Sequence, residues 1–242
     1  MKLDGRVALV TGAGHRVGRA LAVALGAERM SVAVHYNKSA DEADETVRLI
    51  AHAGGKAHTF GFDLSDEDAP THLIAAVTKE FGRLHVLINS AAVMKRHSFG
   101  SITPADWDET MSLNLRAPFF IAQAAAQAMT EGGAIVNISD LAAFETWPSY
   151  IPHSISKAGI VKMTEGLARV LAPFIRVNAI APGAVLLPDD WGEKTGERLS
   201  DTTPLRRLGD PQDVVDAMLY LLRAEYVTGE TIVVDGGRRI RK

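Results

Sequence analysis

The chain has 242 residues, 47% of them apolar and 23% charged, with a formal net charge of −3. That balance fits a globular protein with a sizeable core and gives no electrostatic footprint for nucleic acid or a membrane surface. Cysteine is absent, which excludes disulfides, thiolate metal sites and cysteine nucleophiles. No apolar run reaches the roughly 18 residues of a membrane span. The first residues enter a strand at once and leave no room for a signal peptide, so a cytoplasmic protein is expected. The one clustered charge is the C-terminal Arg238, Arg239, Arg241 and Lys242, which reads as a solvated end.

Short β-branched runs alternate with longer segments of helical period. Strands are expected over 6–11, 30–36, 56–60, 84–89, 133–139, 175–180 and 230–235. Most are apolar throughout, as in a sheet covered on both faces, and every connection is long enough for a parallel crossover. Thr103-Pro104 with Asp106 and Asp210-Pro211 with Asp213 each combine an N-cap, a proline and an early acid, so helices start there. Ser65 with Asp68 is a weaker start signal. The expectation is a single domain of doubly wound α/β (Rossmann) type, its seven-stranded sheet mainly parallel with helices on both faces. The least regular stretch is 185–204, polar and interrupted by proline and glycine; it reads as a mobile lid or an ordinary surface excursion.

The first strand leads through Thr11 to Ala20, "TGAGHRVGRA", into a helix. Gly12 and Gly14 allow a tight turn close to a pyrophosphate, and the N–H groups of His15, Arg16 and Val17 open the helix that would bind its charge. An NAD site usually offers an acid about 20 residues later. Here the second strand ends in His35, Tyr36, Asn37, Lys38 and Ser39, with no acid before Asp41. His35, Lys38 and Ser39, with Arg16, could hold a 2′-phosphate, which favours NADP(H) over NAD. A solvated polar turn is the plainer alternative.

These residues resemble the short-chain dehydrogenase/reductase family, and the likeness spans nearly the whole chain. Thr11, Gly12 and Gly18 match its glycine motif, with Arg16 where a second glycine is usual. Asp63-Leu64 resembles the family's adenine contact, and Asn89 opens its Asn-Asn-Ala-Gly run, from which Ser90 and Ala92 depart. Asn114 resembles the asparagine of the catalytic helix, and Pro182-Gly183 the nicotinamide loop. The arginine in the glycine loop, the His-Tyr pair after the second strand and Asp140 in place of serine are most similar to the pteridine reductases. Asp140 stands 13 residues before His153, the family's serine-to-tyrosine spacing, whereas Ser139 points to the other side of an extended strand.

In the family a tyrosine gives the substrate its proton, and a lysine four residues later assists it and binds ribose. Lys157 fills the second position and His153 the first. With Ser149 as N-cap, Pro152 falls in the first turn and His153 faces Lys157 one turn on. The helix dipole and Lys157 disfavour a proton on that imidazole, and Asp140 favours one. Tyr150 shares the same helix face and is a second candidate donor, unless it only packs. Met94, Lys95, Arg96 and His97 follow the fourth strand and could attract an anionic substrate, or be a solvated loop. Trp147 and Trp191 could stack on a flat ring or simply pack; Phe144 is a weaker candidate.

The leading expectation is an NADPH-dependent reductase of a pterin-like ring or a related carbonyl or imine, with Asn114, Asp140, His153 and Lys157 in the catalytic roles and no metal. A general carbonyl or 3-oxoacyl reductase stands second. A catalytically weak NADP(H)-binding sensor or scaffold is the alternative from another class. By resemblance the partners are a small-molecule substrate and further copies of the chain, as a homotetramer. A nucleic-acid role is disfavoured by the charge balance.

Overall fold

A computed structural model of the chain describes residues 1–186 and 192–240. Seven strands form one sheet in the order β3-β2-β1-β4-β5-β6-β7, and every pairing is parallel. They are β1 (Val7–Val10), β2 (Ser31–Tyr36), β3 (Lys56–Gly61), β4 (Val86–Asn89), β5 (Gly133–Ile138), β6 (Ile175–Pro182) and β7 (Thr231–Val234). Chain order reverses between β1 and β4. At that point the connections from neighbouring strands leave to opposite faces and open a crevice at the carboxyl ends.

Both faces of the sheet are buried, which accounts for the continuous apolar runs. Alternate residues of one strand serve two separate cores. Ala8, Val10, Val34, Ile88 and Val136 pack against α1 (Arg16–Ala27), α2 (Ala40–His52) and α8 (Pro211–Arg223). Val7, Leu9, Ala33, Leu87 and Ile135 pack against α3 (Ala69–Phe81), α5 (Ala117–Ala128) and α6 (Ile151–Leu171). Each fully buried leucine or isoleucine contributes about 1.5–3 kcal/mol by leaving water.

The two strong start signals form complete capping boxes. Thr103 Oγ1 accepts from the Asp106 amide and Asp106 accepts from the Thr103 amide at the head of α4 (Pro104–Met111), and Asp210 with Asp213 repeats this for α8. The weaker signal resolves differently. Ser65 is engaged by Asp63, while Asp68 is the N-cap of α3 without a side-chain hydrogen bond. Between α4 and α5 the helix widens into a single π-turn, Ser112–Arg116, which carries Asn114.

The stretch 185–204 is more regular than its composition suggests: α7 (Gly192–Thr202) fills its second half. Two glycines and a single buried apolar side chain, Leu199, conceal the helical period. Residues 187–191, including Trp191, lie outside the described residues. No helix among the described residues is long and apolar enough to cross a membrane.

Candidate active site

A cleft of about 790 Å³ runs along the carboxyl ends of the strands, from the glycine loop to the head of α6. At the nucleotide end it is lined by Gly12, Gly14, His15, Arg16 and Val17, then by His35, Asn37, Lys38, Ser39 and Leu64. The loop is built around absent side chains. A Cβ on Gly18 would stand 2.2 Å from the Gly12 carbonyl oxygen, so only glycine lets α1 seat against the turn. Gly12 has a φ of +65°, and its own Cβ would meet the Ala91 backbone at 2.9 Å. Arg16 keeps a left-handed φ of +54° where the family pattern has glycine, a conformation that disfavours a side chain by about 1–2 kcal/mol. Its guanidinium donates to the Leu186 carbonyl across the cleft. Because α1 begins without a side-chain cap, its first N–H groups suit the phosphates of a dinucleotide.

His35 takes a different role from the one its position suggests. Its Nδ1 accepts from the Gly12 amide at 3.1 Å and its Nε2 lies 3.0 Å from the Phe62 carbonyl, which fixes the tautomer with the proton on Nε2. Burial lowers its pKa to about 4, against smaller opposing effects of Phe62 and Asp63. A neutral ring with both nitrogens engaged cannot serve as the cation for a 2′-phosphate; it braces the glycine loop against β3. Arg16, Lys38 and Ser39 are the groups left for that task.

Two further expected cofactor residues stand back from the cleft. Asn89 is buried in β4, where its amide donates to Asn137 Oδ1 at 2.9 Å, so it ties β4 to β5. Asp63 is held by the Ser65 hydroxyl and amide and by Asn37, and the Ser65 hydroxyl chiefly depresses its pKa. Leu64 beside it does line the cleft, as do Pro182 and Gly183 at the carboxyl end of β6.

At the far end α6 begins at Ile151, and Tyr150, not Ser149, is its N-cap, with Pro152 inside the first turn. His153 is 4% exposed. Its Nε2 lies 3.4 Å from Asp140 Oδ2, and its Nδ1 lies 3.2 Å from the Val93 carbonyl. One ring nitrogen therefore faces the Asp140 carboxylate, and the other faces both the Val93 carbonyl and the Asn114 amide. The Asp140 side chain is 26% exposed to the cleft, and its Oδ1 accepts from the Ala142 amide at 2.8 Å. Ser139 turns away, donating to the Lys157 carbonyl at 3.0 Å.

Lys157 is buried one turn beyond His153, and its Nζ donates to the Ile138 carbonyl at 2.9 Å. Burial pushes its pKa down, opposed by Asp140. Asn114 does not reach the cleft. Its Oδ1 accepts from the Val93 amide and its Nδ2 donates to the Val93 carbonyl, both at 2.8 Å, and it lies 3.4 Å from His153 Nδ1. It is a positioning residue: it fixes the strand-end backbone against which His153 rests.

Met94, Trp147 and Tyr150 line the substrate end, and the two rings meet edge to face with centroids 6.1 Å apart. Lys95, Arg96 and His97 do not line it; Lys95 is paired with Glu109 at 2.5 Å on the surface. Sequence reasoning missed Thr195, Arg198 and Leu199 of α7, which do line it, because the helix itself was not legible. It also missed Arg238. Of the basic C-terminal residues, Arg238 lines the cleft and the Arg239 guanidinium lies 4.4 Å from the centre of the Phe144 ring, while Arg241 and Lys242 lie outside the described residues.

A family model described as enoyl-(acyl carrier protein) reductase matches residues 12–239. A short-chain dehydrogenase/reductase of Serratia marcescens superposes with a TM-score of 0.92 at 31% identity, over 99% of this chain and all of the other. The chain belongs to the short-chain dehydrogenase/reductase family. The 3-oxoacyl-[acyl-carrier-protein] reductase of Thermotoga maritima is 32% identical over 98% of this chain and 99% of its own. The angucycline C-6 ketoreductase LanV, solved with bound NADP, superposes with a TM-score of 0.93 at 31% identity, over 99% of this chain and 97% of the other. The protein is thus an oxidoreductase built on a nicotinamide-dinucleotide fold.

Proposed function

We propose that the protein is an NADPH-dependent carbonyl reductase in which His153 and Asp140 manage the proton. The observation that carries this reading is the buried His153 paired with the partly exposed Asp140, which opens onto the same cleft as the glycine loop. Bound NADPH would supply a hydride at the nicotinamide end, beside Pro182 and Gly183. Asn114 and the Val93 carbonyl hold the imidazole, and Asp140 holds its other nitrogen at the cleft wall. A substrate oxygen that gains negative charge there meets the proton of this pair, where a water-excluded site strengthens the interaction. Lys157 adds a positive charge one helical turn away and a hydrogen-bond donor on the cofactor side.

Arg16 and Lys38, with no carboxylate at the end of β2, support NADPH over NADH. The names of the relatives speak of ketone and 3-oxoacyl reduction, which supports a carbonyl substrate ahead of a pterin-like ring. The flat faces of Trp147 and Tyr150 are what a pterin reading retains.

The test is NADPH consumption with a panel of aromatic aldehydes, diketones, 3-oxoacyl thioesters and dihydropterins, repeated with NADH. Turnover of carbonyl compounds with at least a tenfold preference for NADPH is expected. Tight NADPH binding without turnover of any compound would overturn the reductase reading in favour of a sensor or scaffold.

A further inference from the structure

Beyond β3 the chain runs from Phe62 to Asp68 without regular structure, and through Leu64 this stretch lines the nucleotide end of the cleft. Its near side is tied to β2 and to itself. The Phe62 carbonyl faces His35 Nε2, and the Asp63 carboxylate accepts from the Ser65 amide and hydroxyl and from Asn37. These bonds close a tight turn around Leu64 but leave its outer backbone to be held from elsewhere.

Arg116 holds it. Its Nη2 donates to the Ser65 carbonyl at 2.5 Å, a residue 51 positions away in the chain. Its Nη1 lies 3.6 Å from Glu67, whose side chain is 87% exposed, so that ion pair adds little beside the charge-assisted hydrogen bond. Arg116 closes the π-turn Ser112–Arg116, and the widened turn sends two side chains to different places. Asn114 goes to the Val93 backbone and to His153, at the proton-delivering end of the cleft. Arg116 goes to the Ser65 turn, at the nucleotide end. One helical turn thus anchors both ends.

A dinucleotide with its pyrophosphate at the glycine loop and a ribose at the carboxyl end of β2 places the base of that nucleoside beside the next strand end outward, that of β3, where Leu64 stands. From this we infer that Arg116 is a positioning residue for the adenosine half of the cofactor: by holding the Ser65 carbonyl it makes the Leu64 turn a fixed wall for the base. The inference rests on the proposed NADPH site and not on the reduction of any substrate. Asn114 keeps its own bonds to Val93, so loss of Arg116 leaves the nicotinamide half its surroundings.

The experiment measures by calorimetry the binding of NADPH and of its two halves, adenosine 2′,5′-bisphosphate and reduced nicotinamide mononucleotide. In Arg116→Ala the affinities for NADPH and for the bisphosphate are expected to fall about tenfold, the lower end of what a hydrogen bond to a charged group is worth. The affinity for the mononucleotide should stay within about twofold. Arg116→Lys, which keeps the charge and a donor but not the fork, should restore part of the loss. Should the alanine variant not fold, the lysine variant carries the same comparison, with a fall of about threefold confined to NADPH and the bisphosphate. Glu67→Gln should leave all three affinities unchanged. Undiminished binding of the bisphosphate, or an equal loss for both halves, would overturn the inference, the latter because it reports a general loosening of the chain. A loss in Glu67→Gln as large as that in Arg116→Ala would overturn it too, since the ion pair and not the carbonyl bond would then carry the effect. A wild type that binds neither NADPH nor the bisphosphate would fell the NADPH reading itself and the inference with it; failure in the variants alone leaves that reading standing.

Discussion

Beneath the glycine loop a single imidazole takes the Gly12 amide, and its protonation has a direct consequence for stability. The folded-state pKa of His35 is lowered from 6.5 to about 4, so the unfolded chain binds the proton more readily. His35 therefore contributes stability that is fully present above about pH 6.5 and is lost as pH falls toward 4. Urea unfolding at pH 7 and pH 5 should show about 2 kcal/mol more acid destabilisation in wild type than in His35→Gln, whose side chain cannot titrate. Equal losses would place the sensitivity elsewhere. This role was not legible in the sequence, because a histidine at a strand's carboxyl end looks the same whether it faces a ligand or a backbone amide. Asn89 misleads for the same reason: its strand-end position is visible, but its bond to Asn137 is a long-range contact. The meeting of Asp140 and His153 at 3.4 Å, by contrast, is what the family's serine-to-tyrosine spacing implied, a pointer that came from the resemblance and not from the residues alone.

Among the elements, α1 is the one whose seat sets the cofactor loop. In Gly18→Ala the new methyl group would need to occupy the space of the Gly12 carbonyl oxygen. The helix must then lift from the turn, and NADPH affinity is expected to fall at least tenfold in a fluorescence titration. An unchanged Kd would mean that the loop tolerates a shifted helix. The capping boxes make a gentler test: Thr103→Ala should cost about 1 kcal/mol in chemical denaturation, typical of a lost N-cap. Strands and capped helices were legible because apolar runs and cap residues are local signals. The helix α7 was not, since Leu199 alone marks its buried side and glycines at 192 and 196 read as loop.

Among the described residues, the cleft lining holds more lysine and arginine than carboxylate, in a chain whose formal net charge is −3. If the proposed NADPH preference holds, Arg16→Ala combined with Lys38→Ala should reduce the NADPH-to-NADH preference at least tenfold in kcat/KM, because the proposal gives those two cations the 2′-phosphate to hold. We also propose that copies of the chain associate through the face bearing Phe119 and Phe120 of α5 and Ile155 of α6, which are 40%, 45% and 43% exposed. Light scattering after gel filtration should return a multiple of the 26.0 kDa chain mass, and a Phe119→Glu, Phe120→Glu variant should shift toward monomer. The central claim, that the His153–Asp140 pair delivers the proton, is tested most directly by kcat for NADPH consumption in wild type and His153→Phe, with NADPH affinity measured in parallel. A general acid contributes about 100-fold or more, so kcat should fall at least that far while the Kd for NADPH stays within about twofold. A His153→Phe variant that turns over at the wild-type rate would contradict the account.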